Sequence, residues 1–155
     1  MPTLPIDPLD LNSAWDAIVA RIAAVDGIRA VRGAVDLEKI INGQTTGSNH
    51  YAFVTFDGIE LLQPAGNSTR HQTVDIAYQV VIAELDYSND GKPQQAGVLL
   101  GRVLSALMSF APFTDDKRSS QRLRAVTPPR AVHRNKYSLY PLKFILSLHI
   151  KGEQL

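Results

Sequence analysis

Two stretches of the chain alternate apolar and less apolar residues over nine positions each. Val74, Ile76, Tyr78, Val80 and Ile82 are separated by Asp75, Ala77, Gln79 and Val81. Near the end, Leu142, Phe144, Leu146, Leu148 and Ile150 are separated by Lys143, Ile145, Ser147 and His149. A period of two puts each apolar set on one face of a strand. Tyr51 to Phe56 is rich in β-formers, and Ile59 to Gln63 reads as its return strand, closed by Pro64 and Gly66. The Asp57-Gly58 pair between them predicts a hairpin turn. Ile28 to Val35 predicts a short strand, and Gln121 to Val126 another, which Pro128-Pro129 ends.

Elsewhere the period is helical. Leu11, Trp15, Ile18, Val19, Ile22 and Val25 form one stripe. Ser13 and Asp16 resemble a capping box, and Asp26-Gly27 stops the helix. The stretch from Gln94 to Phe110 is apolar nearly all round, which predicts a helix buried on more than one side. Pro93 stands at its first position. Gly97 and Gly101 on it either admit another backbone closely or are merely tolerated. Val98, Leu99, Val103, Leu107 and Phe110 are expected to cover the sheet face that carries Ile76, Tyr78, Val80, Phe144, Leu146 and Leu148. Asp36 to Ile41 suggests a helical turn. Residues 42–49 and 85–92 read as polar loops. Three prolines among the first eight residues predict an extended arm over residues 1–10. Residues 11–155 then form one domain. Its expected order is α-β-β-β-β-α-β-β: an α+β fold with two principal helices on a mainly antiparallel sheet.

At 155 residues and 45% hydrophobic, the chain is long enough for a single real core. It has no cysteine, so neither disulfides nor thiolate metal sites are available. No signal-peptide pattern opens it, and no apolar run nears the ~20 residues of a membrane helix. A protein made in the cytosol, without a membrane partner, is expected. Charge changes the picture more. Residues 1–90 hold five Lys/Arg against twelve Asp/Glu, a net of −7, whereas residues 91–155 hold eleven against three, a net of +8. Such a dipolar molecule can attract its own copy head to tail, and such contacts close into rings when the rotation permits. Chain halves need not be spatial halves, so the same numbers also fit charges mixed over one surface.

Catalytic patterns are missing. The sequence has no phosphate loop, and the Gly97 to Arg102 segment lacks the Lys-Ser/Thr partner and lies in a helix. No Gly-x-Ser-x-Gly elbow occurs. His50, His71, His133 and His149 never stand four apart, and His50 with His71 would be too few ligands for zinc. Asp115-Asp116 beside Lys117-Arg118 reads as a solvated charged turn. Neither an enzyme nor a cofactor is expected. The basic stretch is more distinctive: Lys117, Arg118, Arg122, Arg124, Arg130, Arg134 and Lys136 lie within twenty residues that contain no acid. It fits a solvated loop, an interface with an acidic neighbour, or the lining of a channel for nucleic acid. Only His133 and Tyr137 offer rings there, too few for sequence-specific single-strand readout.

Four pieces together resemble the tail terminator (minor tail or tail completion) proteins of long-tailed bacteriophages. They are the opening helix Leu11 to Ile22 with its following strand, the strand His71 to Ile82, the helix Ala96 to Leu107, and the closing strand Pro141 to Ile150. The resemblance spans most of residues 11–151 and carries no catalytic residue with it. It implies a structural virion protein, assembled in the host cytoplasm, that forms a hexameric ring on the head-proximal end of the tail tube. Such a ring ends tube polymerisation, offers its other face to the head-completion or connector protein, and lets DNA pass through its lumen. Two other functions fit the same residues: a head–tail connector or neck protein of similar size, and a small nucleic-acid-binding module using residues 117–136.

Overall fold

A computed structural model of the chain describes residues 10–44, 49–62, 71–85, 95–113, 121–134 and 136–151. The elements in order are α1 (Leu11–Ala23), β1 (Ala30–Arg32), α2 (Ala34–Ile41), β2 (Tyr51–Leu61), β3 (His71–Leu85), α3 (Gln95–Leu107), β4 (Leu123–Val126), β5 (Val132–Arg134) and β6 (Tyr137–Lys151). This is the α+β class read from the sequence. One mixed sheet runs β1-β2-β3-β6-β4, with β5 also paired to β6. Only the β1–β2 pair is parallel.

The two strongly alternating strands pair with each other at the centre, and each is longer than its apolar run. β3 and β6 match over fifteen residues, with Tyr78 opposite Phe144 and Ile76 opposite Leu146. Their apolar sets therefore share one face. α1 and α3 cover it, burying Ile18 and Ile22 from α1 and Leu99, Val103 and Leu107 from α3. Arg21 joins these helices: its Nε donates to Ala106 O at 3.0 Å and its guanidinium lies 4.9 Å from the Phe110 ring centre. A second, smaller cluster lies on the opposite face. There Ile40 of α2 packs with Phe53, Val81, Ala83, Tyr137 and Leu139. The helical turn foreseen at Asp36 is thus a full helix, on the sheet face away from the other two.

Other details differ from expectation. Asp10 caps α1, accepting from Asn12 N at 2.9 Å, while Ser13 Oγ donates to the Asp10 carbonyl. The helix starts one turn before the Ser13–Asp16 pair, which consequently lies inside it. Asp57-Gly58 is a bulge and not a hairpin turn. β2 runs straight on, and Ile59 to Leu61 pair with Val74 to Ile76. Gly58 takes the required positive φ of 116°, and the Asp57 carboxylate accepts from Gln79 Nε2 at 2.9 Å, stitching the bulge to β3. Val98 is not core but 48% exposed. α3 buries one face only, because the sheet and α1 lie on the same side of it. Gly97 and Gly101 are exposed too, and a Cβ on Gly101 would meet nothing within 4 Å. The close backbone approach is instead at Gly27, where φ is 97° and a Cβ would stand 2.7 Å from Leu99 Cδ2. Pro93, Pro64 and Gly66, with the arm over residues 1–9, lie outside the described residues.

A candidate assembly surface

Within the sheet, strand order follows the charge division of the chain, although α1 and α3, one from each half, pack together on one face. β1, β2 and β3 come from the acidic half and stand together; β6, β4 and β5 come from the basic half and stand together. The boundary is the β3–β6 seam. One pair crosses it in full view: Arg124 Nη2 donates to Asp75 Oδ2 at 3.2 Å, with Ser147 Oγ donating to the other oxygen. Asp75 is nearly covered and Arg124 more than half exposed.

The basic candidates gather along the β4–β5 side. Arg122 stands just before β4 and donates through Nη1 to Ser109 O at 2.7 Å. Arg124 is on β4 and Arg134 on β5. Arg130 lies between them, at a slot of about 140 Å³ walled by Leu37, Ile41, Val81, Val132 and Leu139. Lys136 makes the turn into β6 with a φ of 70°. All five are exposed. Lys117 and Arg118 lie outside the described residues. β4 and β5 follow each other along the same edge of β6, pairing with residues 143–146 and 137–139 respectively. Pro141 falls in the gap between them, where its missing N–H deprives no neighbour of a bond. Apolar residues are interleaved with the bases here: Ala125, Pro128, Pro129, Ala131 and Val132 are all exposed.

The opposite edge carries what the sequence reading missed. β1 pairs with β2 only at Tyr51 to Phe53. From Val54 to Leu61 no described strand pairs with the outer edge of β2. Along it Phe56, Ile59 and Leu61 are 47%, 50% and 67% exposed. Phe56 touches the core through an edge contact with Tyr78, ring centres 5.9 Å apart. Asp57 and Glu60 are exposed between these apolar residues. The alternation was visible in the sequence, but a strand pattern does not say that its next neighbour is absent.

Two polar sites inside the molecule serve the fold. Glu84 is buried at the start of α3, where its Oε1 accepts from Ala96 N at 3.0 Å and lies 3.5 Å from His50 Nε2. A carboxylate at a helix N-terminus is favoured by the helix dipole. His50 is thus engaged with Glu84, and the side chain of His71 is outside the described set. Tyr78 is buried with no partner for its hydroxyl among the described residues, and burial pushes its pKa up to about 12. Among the described residues no group of three or more His, Asp or Glu side chains gathers as a metal site would require. No described helix is long and apolar enough to cross a membrane.

Among solved structures, a chain described as "Virion of native gene transfer agent (GTA) particle" is 12% identical, with a TM-score of 0.49 over 90% of this chain and 92% of that one. No curated protein sequence matches. The family model described as "Phage tail terminator protein" matches residues 6–154. That match takes in every described element, and with it the chain belongs to the phage tail terminator family, as a structural protein of the virion's tail.

Proposed function

We propose that residues 11–155 act as one domain, whose copies form a hexameric ring on the head-proximal end of the tail tube. The ring stops tube growth, presents its other face to the head-completion or connector protein, and surrounds the path of the DNA. The observation that carries this reading is the segregation of charge across the sheet, with Asp57, Glu60, Asp75 and Glu84 on the adjacent strands β2 and β3, and Arg124, Arg134, Lys143 and Lys151 on β4, β5 and β6. A molecule with unlike edges associates head to tail, and only such heterologous contacts build rings of more than two copies around one axis. Family membership supplies the tail as the setting. Basic residues 117–136 work in this reading at the subunit interface or toward the lumen.

The test is to mix purified protein with polymerising tail tube protein and image the products by negative stain. Rings at one end of tubes of arrested length are expected. Tubes that grow unchecked with bare ends, and a protein that stays monomeric beside them, would overturn the proposal.

A further inference from the structure

We infer that the stretch of β2 from Val54 to Leu61, whose outer edge pairs with no described strand, is one half of the subunit interface, and that its occupant is the β4–β5 side of the next copy. This rests on the ring proposed above and names its contact surfaces. Three features of the two surfaces match. The first is apolar content: Phe56, Ile59 and Leu61 are exposed on the α1–α3 face of one edge strand, and Ala125, opposite Phe144, is exposed on the same face of the other. Strips of this kind rimmed by charge mark association sites. The second is charge: Asp57 and Glu60 flank the first strip, Arg124, Arg130 and Arg134 the second. Neither Arg130 nor Arg134 makes an ion pair among the described residues. The third is direction. Each step from β2 through β3 and β6 to β4 is antiparallel, so β2 and β4 run oppositely. A copy carried round an axis without inversion then brings β4 antiparallel to β2, the arrangement that the sheet uses internally.

The contact is bounded. Leu123 N and O are already engaged by Phe110 O and Ser109 N, so backbone pairing with a neighbour begins at Ala125. An open edge of this length with three exposed apolar residues is a template for another chain unless something covers it. The neighbour's β4–β5 side covers it here with opposite charge. The same operation repeated leaves neither edge open once the ring closes.

The absence of native cysteine makes a direct test clean. Ile59→Cys and Ala125→Cys are placed together in the full chain, which is assembled with tail tubes and mildly oxidised. Cross-strand neighbours lie within the Cα separation that a disulfide needs. The expected result is a ladder of linked species up to the full ring in the double variant, with no dimer from either single variant. Adding Glu60→Arg to the double variant should reduce the linked fraction several-fold at low salt. Circular dichroism of each variant should match the parent, since both cysteine positions are exposed. Dimers from Ile59→Cys alone would mean that like edges meet and would overturn the inference. Capped tubes without a ladder would also overturn it while leaving the capping function standing. A ladder from a protein that does not cap tubes would uphold the surfaces and reject the capping.

Discussion

Leu107 is wholly buried between α3 and the sheet, and Arg124 stands half out of the protein on β4. Leu107→Ala removes buried methyl groups and leaves a cavity, which should cost roughly 2–5 kcal/mol. Arg124→Ala breaks a partly exposed ion pair worth about 0.2–1 kcal/mol, and Asp75 keeps its bond from Ser147. Thermal melts of the two variants should therefore differ sharply, with Arg124→Ala close to the parent. Tyr78 is a separate case. Its buried hydroxyl has no partner among the described residues, and such a group costs about 1–3 kcal/mol of lost hydration. Tyr78→Phe should melt no lower than the parent, and it should change the alkaline limb. With the folded pKa raised from 10.0 to about 12, the contribution of Tyr78 to stability is full below pH 10. It is lost as pH rises towards about 12, because the unfolded chain releases its proton first. Denaturant titrations across that range should show a shallower decline for Tyr78→Phe.

At the scale of elements, the stop after α1 is under the tightest constraint. Gly27 combines a positive φ with a close approach to Leu99, so neither space nor backbone favours a side chain. Gly27→Ala should cost about 1–3 kcal/mol, read as a lower melting temperature with unchanged secondary structure. The residues that made α1, β3 and β6 legible in the sequence are those whose period is long and one-sided, since burial itself imposes that period. Asp57-Gly58 was not legible in the same way. A positive φ at glycine serves a hairpin turn and a bulge alike, and only the fifteen-residue β3 beside it decides that β2 continues. Val98 misled for a related reason: helix composition shows how much is apolar but not how many sides have a neighbour. The basic side of the candidate surface was legible as a cluster, because its residues are close in sequence. The β2 edge was not, because an edge is defined by what fails to pair with it.

For the whole molecule, the arginines of the basic stretch should matter to assembly more than to folding. Replacing Arg118, Arg122 and Arg124 together by Ala should leave circular dichroism intact and impair tail completion or head joining, scored as infectious particles or as joined heads and tails. Fully active particles from that variant would return the stretch to a solvated loop. Sheet order carries one more consequence, for the time before any assembly. β6 joins the acidic strands to β4 and β5, yet it is the last described strand to leave the ribosome. Until it emerges, β3 has one bare edge, and the apolar face beneath α1 and α3 lacks Phe144, Leu146 and Leu148. The sheet therefore cannot be completed stepwise during synthesis. A nascent chain halted before Tyr137 should remain protease-sensitive, and only chains with the final strand outside the exit tunnel should become resistant. Partial products lack a finished basic side, so in the ring proposed above an aborted chain has no such surface to offer the next copy. Quality control of the assembly is in this sense written into the order of translation.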